Sequence, residues 1–568
     1  MKFSPLFVAM LPAVVAFTGQ AATYQVVELG PIDGYKSSFV SGLNNNNQVV
    51  GNLSNRFNYP IDLNSVDFTN SFIVANLTAA EIEEVKKGNI NAKALTVLIS
   101  YLQSASAVYT TQRFAATYPV RLDTKQLVRV RETAAVQTNN EYLLGINDLN
   151  QMIGYATTPF TRQSFTPAAN ATTPNPVTQQ LWVPAPMHMA GVIFTDKGKY
   201  TLPPAYTDYG GGYSVGRGLN NTGKVIGYGS SNMAADTQTA IAKACDGTLE
   251  PKDLCYFRNA VGNAYETRGM VWQLDADGKP GTPQLLGFLG DKNSGKAHTR
   301  TDYPAVTYTS TPNDINDSGL VVGASMYSDS DDIRYYLIDQ FTGRDEVYHA
   351  FHATIFDGTE LKSFIDTKEW SSSYATGINN KNIITGYAVK NINSADRNRF
   401  FIYDYNTQKL TFPADLFASA STAPEAINDN NLVVGTTEAA TAGSSIRRNV
   451  GFLYDLSANT FKDINTLLSC NSAYTIVTAT DINEKNVIVA TAIKEVEKRD
   501  VKGELMKDSA GNVLKEEVAV AVQLNPIANG SIDNCDSSAE QTYERQGASF
   551  GLFGLLALLP LALRRRRR

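Results

Sequence analysis

Histidine is scarce in this chain: there are four in 568 residues, His188, His298, His349 and His352. So few, and so scattered, exclude a His-rich metal centre. Cysteine is equally sparse, at Cys245, Cys255, Cys470 and Cys535. Their spacing is wrong for paired metal knuckles, and no other metal or cofactor site is expected. An even, small number fits two disulfides in an exported chain. Four cysteines allow three connectivities. Pairing Cys245 with Cys255 is the local choice and would pin a surface loop between Ser231 and Asn259. Cys470 with Cys535 would then be a long-range staple. The chain also lacks a G-x-S-x-G elbow and an H-E-x-x-H pair, so no catalytic residues are assigned. Paired carboxylates suited to glycoside chemistry stay open, because Asp and Glu are plentiful. The acidic run "SDSDD" from Ser328 to Asp332 reads as a solvated loop.

Positive charge is short in the body and concentrated at the ends. The whole chain holds 49 Lys and Arg against 55 Asp and Glu, for a net charge of −6. Lys2 opens an apolar run from Phe3 to Phe17 that ends in "TGQAATY". Charge, apolar stretch and small residues make a secretory signal, expected at residues 1–21, with cleavage by signal peptidase between Ala21 and Ala22. At the other end, Ala548 to Leu563 is a charge-free run of 16 residues closed by Arg564, Arg565, Arg566, Arg567 and Arg568. Such a run approaches the short limit of a membrane span, and the arginines would hold its end on the cytoplasmic side of the inner membrane. Without Lys2 and the tail arginines, 43 cations face 55 anions, a net of −12. A body so acidic excludes nucleic acid and anionic membrane surfaces as partners.

What is abundant is repetition. One ten-residue motif occurs seven times: "GLNNNNQVVG" from Gly42, "GINDLNQMIG" from Gly145, "GLNNTGKVIG" from Gly218, "DINDSGLVVG" from Asp314, "GINNKNIITG" from Gly377, "AINDNNLVVG" from Ala426 and "DINEKNVIVA" from Asp481. The second column is always Leu or Ile. The third is always Asn: Asn44, Asn147, Asn220, Asn316, Asn379, Asn428 and Asn483. The sixth is only Asn or Gly, the residues that enter the left-handed region at least cost. A four- to five-residue hairpin loop closed by a left-handed residue needs that column. The constant Asn suits an Asx-turn that caps the loop backbone. The neutral donor and the variable fourth column argue for a structural turn rather than a calcium loop. The closing Gly implies close approach of another backbone.

Between motifs lie aromatic-rich strands such as "HAFHATIFDG" from His349 and "RFFIYDYNTQKL" from Arg399. One unit is therefore strand, Asn turn, strand, loop, strand, turn, strand, which is the antiparallel meander of a propeller blade. Spacing from 49 to 103 residues leaves room for insertions in the longer copies. The expected fold is an all-β propeller of about seven four-stranded blades over residues 22–540. The strand Thr23 to Leu29 completes the last blade, where a Cys470–Cys535 bridge would lock the ring. A helical insertion is expected at about 78–105, started by a Thr78–Glu81 capping box, with an apolar face packed on the propeller or offered to a partner. "KEVEKRDVKGELMKDSAGNVLKEEVAV" reads as a long charged hairpin in the last blade.

The triplet His349, Ala350, Phe351 and the repeats resemble the HAF-repeat extracellular proteins, an uncharacterised family of gammaproteobacteria. The tail, with Gly547 before the apolar run and the arginines after it, resembles the GlyGly-type sorting signals of Gram-negative bacteria. It departs from them in lacking a Gly-Gly pair. These resemblances imply export to the periplasm or cell surface, processing of the tail within 547–568 by a rhomboid-like sorting protease (rhombosortase) at a position the missing pair leaves open, and passage through type II secretion. They lend no catalytic residues. The functional expectation is a binding or scaffold module for an envelope protein or a glycan. The alternatives are a propeller glycoside hydrolase or lyase acting on extracellular polysaccharide, and a permanently tail-anchored protein.

Overall fold

The structure is a computed structural model that describes residues 22–131, 136–169, 174–247, 249–260, 264–289, 307–327, 350–392, 394–440 and 447–532. Seven four-stranded antiparallel sheets follow one another along the chain. Blades 1 to 6 span 35–127, 141–201, 214–285, 310–363, 372–411 and 422–463. Blade 7 takes three strands from 475–526, and its outermost strand is Tyr24–Glu28. That strand pairs with the last one in the register Tyr24 to Pro526 and Glu28 to Val522, so the two ends of the described chain close the ring together. The sheets form a seven-bladed propeller.

The hydrophobic core is divided into layers between neighbouring blades. Val434, Ile476, Ile488 and Val522 fill the layer between blades 6 and 7. Val49, Val120, Val489 and Ala521 fill that between blades 7 and 1. Ile355, Ile365, Ile384 and Phe401 fill that between blades 4 and 5. β-branched side chains suit such two-sided burial, because each sheet face packs on a neighbour.

Every innermost strand carries a β-bulge one residue before its motif, as at Ser41, Arg217 and Glu425. The bulge explains the closing glycine. A Cβ on Gly51, Gly154, Gly227, Gly323, Gly386 or Gly435 would run into a carbonyl oxygen of the bulged strand. Blade 7 has Ala490 at that place, and its first strand pair carries a second register shift, between Ile476 and Thr478.

In a meander, the turns between strands one and two lie at one end of the sheet, and those between strands two and three at the other. All seven Asn motifs are of the first kind, so they share one face of the ring. The insertions of blades 7, 1, 2 and 3 are all of the second kind and share the opposite face. Blade 1 contributes helices Ser71–Asn76, Ala79–Lys86 and Ala92–Ser104, capped by Asn70, Thr78 and Asn91. The helical insertion expected there is thus a three-helix unit. Its apolar face packs in a core of its own, around Ile73, Val85, Leu98 and Leu102. The stretch expected to be a pinned loop in blade 3 is helical, Ala235–Ala244 and Lys252–Ala260, with Cys245 bonded to Cys255 across the two. Cys470 is also disulfide-bonded, whereas Cys535 lies outside the described residues.

The insertions touch one another. The Asn58 N–H donates to the Val501 carbonyl at 2.9 Å, and Lys502 Nζ donates to the Ile90 carbonyl at 3.1 Å. The Trp182 N–H donates to the Tyr109 carbonyl at 2.7 Å. Phe257 lies edge-on to Phe160 at 5.4 Å, and Leu254 packs with Leu181 and Val183. Together they form a crown on one side of the ring.

Candidate ligand channel and its two mouths

The seven motifs converge on the axis, where they line a cavity of about 180 Å³. The third-column Asn residues form a closed circuit there. Each Nδ2 donates to the backbone carbonyl of the third-column Asn in the next blade. The links are Asn44 to Asn147 (2.9 Å), Asn147 to Asn220 (3.0 Å), Asn220 to Asn316 (3.0 Å), Asn316 to Asn379 (3.2 Å), Asn379 to Asn428 (3.0 Å), Asn428 to Asn483 (2.9 Å) and Asn483 back to Asn44 (3.1 Å). In each motif the Oδ1 accepts the N–H four residues on, as from Gln48 at 2.9 Å and Ile383 at 2.9 Å. The side chain must therefore accept within its own loop and donate to its neighbour. Only an amide does both in this geometry; a carboxylate has no donor. The sixth column is left-handed in all seven motifs, with φ from 58° at Asn47 and Asn486 to 88° at Gly319.

The fourth column forms a second circuit. The backbone N–H of each fourth-column residue donates to the side chain of the next: Asn45 to Asp148 (2.8 Å), Asp148 to Asn221 (3.0 Å), Asn221 to Asp317 (2.9 Å), Asp317 to Asn380 (2.9 Å), Asn380 to Asp429 (2.7 Å), Asp429 to Glu484 (3.0 Å) and Glu484 to Asn45 (2.9 Å). The backbone link needs only an acceptor, so Asn, Asp and Glu all complete it; where an Asn precedes an Asp, its Nδ2 also donates to the second carboxylate oxygen, as from Asn45 to Asp148 at 2.9 Å. Burial raises the pKa of Glu484, and the charges of Asp429 and Asp148 add to that.

Beneath the circuits, two motifs carry Asp in the first column. Asp314 Oδ2 accepts the Ile378 N–H of blade 5 at 2.8 Å, and Asp481 Oδ2 accepts the Leu43 N–H of blade 1 at 2.8 Å. Each Oδ1 accepts the N–H of its own next residue, Ile315 or Ile482. Burial pushes Asp481 up to about 6 and Asp314 up to about 7, the backbone donors opposing. The Asp481 charge adds to the Asp314 shift, so the two acids of blades 4 and 7 sense each other across the axis. Among the described residues, no group of three or more His, Cys, Asp and Glu is arranged to hold a metal ion.

Toward the crown, the channel changes character. Arg217 of blade 3 and Glu425 of blade 6 stand at the bulges of their innermost strands, and both are exposed. Glu425 is exposed by surface area, yet the protein packed around its carboxyl group pushes its pKa upward, with the Arg217 charge opposing. Arg217 Nη2 donates to Asn313 Oδ1 at 3.3 Å. Tyr155, stacked on Tyr142 at 4.7 Å, is raised to about 12, chiefly by burial, with Tyr142 and Tyr228 adding and Arg217 opposing. Tyr387, packed on Tyr374 at 5.3 Å, is raised by burial and by the Glu425 charge. Sequence reasoning did not single out Arg217 or Glu425; both precede the motif, in a column with no constant residue.

The remaining residues of interest lie elsewhere. His352 is buried in blade 4, edge-on to Tyr327 at 5.5 Å. His188 sits under the crown between Tyr213 and Tyr265, pushed down to about 4 by burial and then by Arg131. Ala22 is buried. Ala21, His298, His349, the acidic run 328–332, Gly547 and Arg564 to Arg568 lie outside the described residues. No described helix is long and apolar enough to cross a membrane.

A family model described as "Protein of unknown function (DUF3466)" matches residues 2–567. The chain belongs to that family. No curated protein matches it in sequence. Among solved structures it is similar to an oligogalacturonate lyase from Vibrio parahaemolyticus, at 8% identity and a TM-score of 0.36, over 90% of this chain and 95% of that one. A polysaccharide lyase described as a PL25 ulvan lyase shares 8% identity with a TM-score of 0.35, over 84% and 92%. TolB from Acinetobacter baumannii shares 9% with a TM-score of 0.27, over 73% and 77%. At such scores these likenesses say nothing about chemistry.

Proposed function

We propose that this DUF3466 protein is an exported binding or scaffold module that engages an envelope component through its crown face. The observation that carries the reading is the one-sidedness of the ring. Insertions of blades 7, 1, 2 and 3 all leave the same face and pack into a continuous surface, while at the opposite mouth the motif side chains are spent on hydrogen bonds to one another around the ring. Surface loops on a rigid scaffold are where binding specificity resides. The acids of the first and fourth columns bind backbone N–H groups, which is a structural use of carboxylates.

The ends of the chain fit the same reading. Cleavage after Ala21 would release the ring into the periplasm, and the tail from Gly547 to Arg568 would act as a sorting signal removed at the inner membrane. A purified chain screened against glycans and envelope proteins is expected to retain a ligand that is lost when the crown residues Leu254 and Phe257 are replaced by Asp. Hydrolytic or lyase turnover of a polysaccharide, with no ligand retained, would overturn the proposal.

A further inference from the structure

We infer that a cleft in the crown, between blades 2 and 3, is a pocket for the acetamido group of an N-acetylated amino sugar. The inference rests on the binding reading above and deepens it by naming the ligand class and the place.

The site is a small cavity of about 10 Å³ with walls from separate segments. His188 comes from blade 2, Tyr209 from the segment that enters blade 3, and Asp253, Tyr256 and Phe257 from the disulfide-stapled helix Lys252–Ala260, with Tyr265 beside them. These walls are tied to one another. The Met187 N–H donates to the Gly210 carbonyl at 2.7 Å, and the Tyr265 hydroxyl donates to the Tyr209 carbonyl at 2.7 Å. Tyr209 stands edge-on to Tyr256 at 5.9 Å. His188 lies 4.8 Å from Tyr213 and 5.9 Å from Tyr265, ring to ring. Met187 is left-handed at φ 66° and Tyr209 at φ 57°. Such conformations are costly for side chains of that size, and they cluster at ligand clamps, where the surroundings hold them.

The polar groups of this cavity are unspent. Among the described residues, the His188 imidazole, the Asp253 carboxylate and the Tyr209 and Tyr256 hydroxyls have no hydrogen-bond partner. Burial keeps His188 neutral at pH 7, so its ring offers one N–H donor and one acceptor.

Size and charge then select the group. A cavity near 10 Å³ admits one water-sized group, such as a methyl, and aromatic walls suit an apolar one. Asp253 opposes an anion. Arg131 opposes a cation, because its Nη1 donates to the Met187 carbonyl at 2.6 Å and so holds a positive charge beside His188. An acetamido group is neutral and carries a methyl, an N–H donor and a carbonyl acceptor together. The methyl enters the cavity, the N–H donates to Asp253, and the carbonyl accepts from His188. A free amino sugar is a cation without the methyl, and a plain hexose has neither the methyl nor the amide.

Calorimetric titration of the full chain with the hexasaccharides of N-acetylglucosamine, glucosamine and glucose, all of one linkage, tests this. The acetylated sugar should bind at least about tenfold tighter than either of the others. Saturation-transfer NMR should mark its acetyl methyl as the proton group in closest contact. Asp253→Ala should weaken binding by about tenfold or more, the scale of a lost hydrogen bond to a charged group, and His188→Phe by about threefold or more. Lys381→Ala at the Asn mouth should leave it unchanged, and each variant should keep the wild-type unfolding midpoint within a few degrees. Equal binding of the three sugars, a methyl saturated no more than the ring protons, or folded Asp253→Ala and His188→Phe chains that bind as the wild type does would overturn the pocket and leave the binding reading standing. So would retention of another glycan or a purified envelope protein with the acetylated sugar unbound. Failure to bind anything would overturn both.

Discussion

The two mouths of the same channel are built from the same seven strands and do opposite things with their polar groups. At the Asn mouth, the third-column amides and the fourth-column side chains run in closed circuits, and donors and acceptors are matched within the protein. Toward the crown, the bulge positions carry unlike residues, Arg217 in blade 3 and Glu425 in blade 6, and insertions differ from blade to blade. The difference teaches where a repeat protein keeps its sequence constant. A position that must satisfy its neighbour on both sides admits one residue. A position that faces only the channel is free to vary, and variation is what a ligand can read.

The comparison breaks most severely at the third column. Asn379→Asp would set a carboxylate against the Asn428 carbonyl and the Asn431 Oδ1, which now receive Nδ2 at 3.0 and 3.1 Å. Leaving a buried charge against acceptors should cost about 3–5 kcal/mol, seen as a lower midpoint in denaturant. Next is the crown. Cys245→Ser with Cys255→Ser opens a bridge of sequence separation 10 and should cost about 2–3 kcal/mol. That loss should show as faster proteolysis between Ala235 and Ala260, with the ring itself spared.

The pH dependence is smaller and has a definite sign. Asp314 and Asp481 are raised in the folded state, so the native protein holds protons that the unfolded chain releases near pH 4. Their contribution to stability is fully present below that pH and is lost as pH rises through about 6 to 7. Asp314→Asn should therefore become more favourable relative to wild type between pH 4 and pH 7. Taking the difference cancels the opposite titration of His188, which is lowered and weakens the fold as pH falls. The smallest effect is expected for Asp148→Asn, where an amide oxygen still accepts the Asn45 N–H and only the exposed-side link from Asn45 Nδ2 to Oδ2 is lost. It should cost about 1 kcal/mol, one hydrogen bond.

The fold was legible where periodicity is local. Seven copies of one turn, each between two apolar runs, imply seven blades, and the spare strand at Tyr24–Glu28 implies the closure. Helices Ala235–Ala244 and Lys252–Ala260 were not legible. The first has no side-chain N-cap bond, and both are too short to show a sustained helical period, so the local pattern did not separate them from a loop. The inter-blade destination of the third-column Nδ2 was hidden too, because a single motif shows only its own turn. Arg217 and Glu425 were hidden for a further reason: each stands at a bulge, and strict strand alternation gives no sign of it.

Hydrogen–deuterium exchange of the intact chain tests the division of labour most directly. The loop amides that bind the third-column Oδ1, among them Gln48, Gln151, Lys224, Leu320, Ile383, Leu432 and Val487, should exchange together and slowly, at the rate of global unfolding. Crown helices should exchange faster and independently. Early exchange of some of the seven turns, with others still protected, would contradict a closed circuit.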